Sequence, residues 1–379
     1  MKKCIVVSDS FKGTLSSLDI CRIAEETVPR VFDACEVVAI PVADGGEGTV
    51  DCFLKAISAE RITAEVHGPY HEPIKAAYAK SGKTAVIEMA AAAGLPAVGD
   101  RKDPTKTTTY GVGELILHAI RSGCTEILLG LGGSATNDGG CGCAAALGAV
   151  FTDHNGGTFV PVGGTLSDIA HIDLSAVKEN LRGVSVTAMC DVENPLYGKN
   201  GAAYIFGPQK GADEEKVLLL DAGLRHLADV IAADCGVDVH TVPGSGAAGG
   251  FGAGVLAFLS GALRSGIDTI LDTVGFDALL SGTDLVITGE GRIDSQSVQG
   301  KVISGIAKRT AKADVPLIAI VGGAADDADA AYDYGVTAIF TTDRAALPVS
   351  ALADRAERDY RATLYDVLRL IRTAEQFHK

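Results

Sequence analysis

The chain has 379 residues, 47% of them apolar and 21% charged, a soluble globular balance with length enough for two domains of about 150 residues or more. A net charge of −15 excludes a broad basic surface for nucleic acid or anionic lipid, although local lysines and arginines can still hold a small anion. No run approaches the ~18 apolar residues of a membrane span, the four-residue apolar run after Lys3 is too short for a secretory signal core, and nine cysteines, an odd count, predict free thiols in a reducing, cytoplasmic setting.

The opening reads strand, loop, helix: "KKCIVVSD" is an apolar run, "SFKGTLSS" a polar loop, and "LDICRIAEETVPR" has apolar residues at helical spacing. "CEVVAIPVAD" and "GEGTVDCFLKAIS" repeat the pattern, a βαβα start that predicts a parallel sheet. From about Arg61, "RITAEVHGPYHEPIKAAYAKSGKTAVIEMA" reads as strands joined by Gly and Pro turns, with an antiparallel texture. "TTYGVGELILHAIRSG" is a helix, "TEILLGLGG" a strand with a glycine turn, and "DGGCGCAAALGAVF" a helix whose small residues predict tight packing. Cys141 and Cys143 sit in that helix, and with no second pair at ligand spacing they read as packing residues rather than a metal site. "DHNGGT" carries an Asn155-Gly156 turn, "GVSVTAMCDVENP" a strand entering a polar loop, and "EEKVLLLDAGLRHLADVIAAD" an amphipathic helix. "PGSGAAGGFGAGVLAFLSGAL" is a glycine loop running into a helix, and from about Asp284 "DLVITGEG", "VPLIAIVGG" and "GVTAIFTTD" restore the βα rhythm. The expected fold is α/β: a Rossmann-like, parallel-sheet, three-layer domain made from both termini (1–62 and 282–379), with an inserted mixed α/β domain (63–281) and a cleft between them.

Parallel sheets bind ligands beyond the carboxyl ends of their strands, and polar residues cluster there. Ser8, Asp9, Ser10 and Lys12 follow the first strand, and Asp44, Gly45, Gly46 and Glu47 the second. Ser134, Thr136, Asn137 and Asp138 follow "TEILLGLGG"; Asp191, Glu193 and Asn194 follow "VSVTAMC"; Glu290, Arg292, Asp294 and Gln296 follow "DLVIT". One such loop is most simply a helix cap; five predict a shared cleft. "LGGSATNDGG" adds free backbone N–H groups at a helix start, which favours an anion. Lys12, Arg292 and Lys301 are the cations near strand ends; Lys199 and Lys210 fall in loops, where a lysine is ordinarily solvated.

"PGSGAAGG" satisfies G-x-G-x-x-G through Gly244, Gly246 and Gly249, with Asp268 downstream. The dinucleotide reading needs a strand directly before the first glycine, and Pro243 stands there instead. A phosphate loop or a glycine-packed helix start fits better. The scattered histidines offer neither a metal pair nor a Ser–His–Asp triad, whereas hydroxyls and carboxylates suit Mg²⁺. Three readings stand on the residues alone: a kinase, an NAD-dependent hydroxy-acid dehydrogenase, and a non-enzymatic small-anion binding protein.

Taken together, "SDSFKGTLSS", "PVADGGEGT", "LGLGGSATNDGG", "DVENPL", "FGPQKGA", "PGSGAAGGFGAG" and "LVITGEGRIDSQSVQGK" resemble the bacterial glycerate kinases of type 1. The resemblance implies ATP and Mg²⁺ dependence, D-glycerate as acceptor, and 2-phosphoglycerate as product. The acidic balance argues against a nucleic-acid or membrane partner, and the oligomeric state, monomer or homodimer, stays open. Within that frame Lys12 and Arg292 are expected to neutralise phosphate oxygens or the substrate carboxylate, with Arg292 as the bidentate clamp. Asp191 is the expected base. Asp44, Glu47, Glu290 and Asp294 are candidates for Mg²⁺ or its waters. Ser10, Asn137, Asn194, Gln296 and Lys301 are expected at substrate or phosphate, with Gly132, Gly133, Ser134, Gly244, Ser245 and Gly246 cradling phosphates.

Overall fold

The computed structural model describes residues 1–11, 13–42, 46, 48–295, 297, 302–345 and 349–375. Two compact sets of residues divide the chain. The first comprises Met1–Ala43, Lys55–Ile57 and Ile267–Lys379; the second comprises Asp44–Leu54 and Ser58–Gly266.

The first unit is built on a five-stranded sheet in the order Val336–Thr341, Leu317–Val321, Leu285–Thr288, Lys3–Ser8, Glu36–Pro41. Every pairing is parallel. Strands buried on both faces need apolar side chains at every position rather than at alternate ones, and Leu285, Val286, Ile287 and Thr288 are all buried. Cys4, Val6, Leu285, Ile287, Ile318 and Ile320 pack with helices Ser17–Val31 and Ala356–Ala374. Phe11 and Tyr360 meet edge to face there, ring centres 5.7 Å apart. Helix Val302–Lys312 buries Ile303, Ile306 and Ala307. Helix Ser17–Val31 starts at a capping box, in which Ser16 Oγ accepts from Asp19 N and the Asp19 carboxylate accepts from Ser16 N.

The second unit carries a six-stranded sheet, Ala262–Arg264, Ser185–Met189, Glu126–Gly130, Thr84–Glu88, Pro73–Ser81, Glu60–His67. Its first four strands are parallel and its last two antiparallel, which is the mixed character read from the turn-rich 61–90 stretch. Strand Glu60–His67 pairs along its whole length with Pro73–Ser81. A boundary at 62/63 would cut that strand, so the change of unit lies before it, and the return falls at Ile267 rather than near 282. A small sheet of Val150–Asp153, Thr158–Phe159 and Ile169–Asp173 was not expected from the sequence. The helix read through Phe151 runs only Cys141–Ala146, because Gly148 turns the chain at φ +101° into the strand. The Asn155-Gly156 turn closes the hairpin that follows.

Cys141 and Cys143 are buried in the core of this unit, and burial pushes both thiols well above their usual range, as packing residues require. Among the described residues no cluster of three or more His, Cys, Asp or Glu could hold a metal, and no helix is long and apolar enough to cross a membrane.

Candidate active site

Strands Glu126–Gly130 and Ser185–Met189 lie side by side in the second unit and end level, Gly130 paired with Met189. The segments 131–138 and 190–194 therefore leave the same sheet edge, where a parallel sheet binds its ligand. A cavity of about 420 Å³ opens there, lined among others by Gly132, Gly133, Ser134, Asp191, Lys210 and Ala248.

One wall is a tight glycine turn. Gly133 takes φ +73°, left-handed backbone that favours glycine. The N–H groups of Gly132, Gly133 and Ser134 have no hydrogen-bond partner among the described residues. The carbonyl of Gly133 instead accepts from Leu95 N at 2.9 Å, and Ala135 N donates to Ala93 O at 2.8 Å, which pins the turn from behind. Consecutive backbone donors of this kind form a concavity for an anion.

Lys210 supplies a charge beside that turn. It ends the 3-10 segment Pro208–Lys210, which follows helix Ala202–Phe206, and only 2% of it is exposed. Its Nζ donates to Ser134 Oγ at 2.8 Å and to Thr136 O at 2.7 Å. Burial drives its pKa down to about 7, with the Asp138 charge pulling the other way. The expectation of a solvated loop lysine is overturned: the alanines and glycines around it admit the chain to the interior, and two fixed acceptors hold its head. No periodicity marks such a residue. Its only signal was its place inside "FGPQKGA".

Asp138 anchors the same segment from below. It is wholly buried, and its Oδ2 accepts from Thr109 N at 2.7 Å, Thr109 Oγ1 at 2.8 Å and Gly142 N at 3.2 Å, while Oδ1 accepts from Gly140 N at 3.1 Å. Burial raises its pKa and these donors act against that rise. Asn137 is buried with both amide atoms unpartnered, as is Thr136 Oγ1, directly behind the turn.

On the opposite wall, Asp191 follows the neighbouring strand. Its Oδ1 accepts from Gly266 N at 2.9 Å, which fixes the carboxylate while leaving the residue exposed at the cavity. Asn194 shapes the loop: its Nδ2 donates to Asn200 O at 2.8 Å, and its carbonyl accepts from Gly246 N at 3.0 Å. Tyr197 stacks on His240, with ring centres 3.8 Å apart, beneath the Arg225 guanidinium.

The glycines at 244–250 bring backbone close against backbone. Ser245 N and Gly246 N donate to Val242 O and Asn194 O, so those donors are spent inside the chain. A Cβ on Gly246 would lie 2.2 Å from Pro195 O, and one on Gly249 2.1 Å from Thr136 O. A Cβ on Gly244 would lie 2.9 Å from Cys190 Sγ. Glycine is needed there for close backbone approach. No strand precedes Gly244, and Asp268 is paired with Arg309 at 3.1 Å, so the dinucleotide pattern has neither of its structural supports. Only Ala247 and Ala248 of this stretch reach the cavity, Ala248 at φ +54°.

In the first unit the predicted loops after adjacent strands do converge. Asp9 N and Ser8 Oγ both donate to Gly289 O at 2.9 Å, and Gly289 itself leaves room for nothing larger, since a Cβ would sit 2.0 Å from Ile320 O. Ser10 N donates to Asp9 Oδ1 at 2.6 Å. Arg292 is exposed on the two-residue strand Arg292–Ile293, with its charge helping to hold the Asp327 carboxyl below its usual range, behind the larger effect of Ser295. Asp294 Oδ1 accepts from Ser297 N at 3.1 Å, a turn-capping use of that oxygen. Lys12, Asp44, Glu47, Gln296 and Lys301 lie outside the described residues.

The family model for the glycerate kinase family matches residues 4–372. The chain belongs to the glycerate kinase family. It is 43% identical over 379 residues to the glycerate kinase of Bacillus cereus, covering 99% of this chain and 100% of that one. It is 45% identical over 342 residues to the glycerate 2-kinase of Escherichia coli, covering 89% and 90%. Among solved structures it is similar to that of a candidate glycerate kinase 2 from Salmonella typhimurium LT2, with a TM-score of 0.88, 39% identity and 99% of each chain covered. For this glycerate kinase family member the similarity runs through all the elements that build the cavity.

Proposed function

We propose that the protein transfers the γ-phosphoryl group of ATP to the 2-hydroxyl of D-glycerate, giving 2-phosphoglycerate and ADP. The observation that carries this reading is a cavity lined by three residues whose backbone N–H groups are unpartnered among the described residues, by a buried lysine and by a fixed carboxylate. Phosphoryl transfer has a loose transition state, so donors placed around the moving group supply most of the catalysis. Asp191 accepts the proton of the attacking hydroxyl. The name of the Escherichia coli relative supports the choice of hydroxyl.

A Mg²⁺ ion suits this donor set, because Mg²⁺ is commonly held by nucleotide phosphates plus one or two carboxylates. Asp44, Glu47 and Glu290 are the candidates to hold it, whereas Asp294 has one oxygen engaged by Ser297 and Asp191 is kept for the proton. Bound there, the ion would neutralise charge on the phosphates.

Incubation with ATP, Mg²⁺ and D-glycerate, followed by enolase without a mutase, tests the reading. Direct consumption by enolase is expected; a product that needs the mutase would assign the 3-hydroxyl instead. Arg292 is proposed as the carboxylate clamp. Arg292→Ala is expected to cost about 2–4 kcal/mol in kcat/KM for glycerate, the scale of a lost charged donor. An unchanged kcat/KM would remove Arg292 from the reaction.

A further inference from the structure

We infer that Lys210 is a catalytic residue, its ammonium held by Ser134 and Thr136 so that its remaining N–H donates to the phosphoryl group being transferred. An ammonium has three donors. Two are spent on Ser134 Oγ and Thr136 O, and the residue lines the cavity beside the turn at 132–134. The third donor and the three unpartnered N–H groups of that turn together match a tetrahedral oxyanion with several oxygens to satisfy. The inference rests on the phosphoryl-transfer reading above and deepens it.

The chemistry balances without proton loss from Lys210. The bond from the γ-phosphorus to the bridging oxygen breaks, and ADP leaves with the electron pair. The new bond forms to the acceptor oxygen, whose proton passes to Asp191. Lys210 keeps its protons throughout and gives its third N–H to a non-bridging oxygen.

Burial explains why such a lysine is useful. With a pKa near 7, the amine is mostly neutral at pH 8 in the free protein. The charged and titratable groups around it are Asp138 below, Asp191 and Cys190 across the cavity, and Lys102 packed at Gly211. Asp138 favours the ammonium, and burial keeps the Cys190 thiol protonated. An anion arriving at the turn therefore raises the lysine's pKa and draws a proton onto it.

The test uses the full-length protein and two variants, Lys210→Met and Lys210→Arg. Lys210→Met is expected to lower kcat by about 100-fold or more while KM for glycerate stays within about threefold, as for removal of a transition-state donor. The wild-type kcat/KM should fall as pH rises through the lysine's pKa, and that limb should be absent from the Met variant and moved upward in the Arg variant, which cannot deprotonate. A merely structural role would lower thermal stability yet leave the limb in place. A folded Met variant within threefold of wild-type kcat, or one that keeps the alkaline limb, overturns the inference.

Should the Met variant fail to fold, sulfate titration of the wild type decides. Sulfate is fully ionised, so heats measured at pH 8 in two buffers of different ionisation enthalpy report protons taken up by the protein alone. Uptake approaching one proton per sulfate supports the inference; binding without uptake, or no binding, overturns it. Wild-type activity on glycerate is scored separately: uptake without phosphorylation would sink the proposed substrate and leave the lysine–anion site standing.

Discussion

Asp191→Asn lowers kcat by about 100- to 10,000-fold, the span of a lost general base, with KM for ATP within about threefold and the fold unchanged. The substitution is close to isosteric. An asparagine oxygen can still accept from Gly266 N, which holds the wild-type carboxylate at 2.9 Å, so the loop keeps its anchor. What is lost is the capacity to take the hydroxyl proton and the negative charge that a nucleotide-bound cation would meet. Both losses fall on the transition state more than on bound nucleotide. Steady-state kinetics with D-glycerate as the varied substrate reads the outcome. A variant that keeps kcat within threefold shows that another group takes the proton, and Asp191 then serves only to shape the cavity.

The three central strands of the first unit were plain in the sequence because strands buried on both faces write themselves as unbroken apolar runs. "CIVV", "LVI" and "LIAIV" leave no polar position for an alternative period. The loops after them were legible for the complementary reason: polar residues cannot continue such a run, so they mark where it ends. That logic placed Asp191 and Ser134 at one sheet edge correctly. It could not see Lys210, whose burial depends on acceptors 74 and 76 residues away, at Thr136 and Ser134. Nor could it tell what the glycines at Gly244 and Gly246 are for. A glycine needed for an anion and a glycine needed for close backbone packing look alike in sequence, and only the spent N–H of Gly246 separates them. The short strands Val150–Asp153 and Ala262–Arg264 carry too few residues for a two-residue period to stand out.

The buried carboxylate of Asp138 gives the largest effect expected on stability. Three backbone N–H groups and one hydroxyl converge on it, from Thr109, Gly140 and Gly142. These donors lie at the starts of helices Tyr110–Arg121 and Cys141–Ala146, where first-turn N–H groups have no intrahelical partner and the dipoles favour negative charge. Asp138→Ala strands all of them in a site without solvent access. Each buried donor left unpaired costs about 1–3 kcal/mol, and partial relaxation makes a total of about 3–5 kcal/mol reasonable for the loss of a buried charged hub. Asp138→Asn keeps the size but turns an amide N–H₂ toward donors, so roughly half that loss is expected. The ladder Asp, Asn, Ala should therefore fall in order, read by thermal or urea unfolding at pH 7. Activity should fall further than stability explains, because the same carboxylate sustains the charge of Lys210 beside the turn at 132–134. A loss under 1 kcal/mol in Asp138→Ala would mean that the two helix starts find other acceptors, and that the network does not organise the cavity.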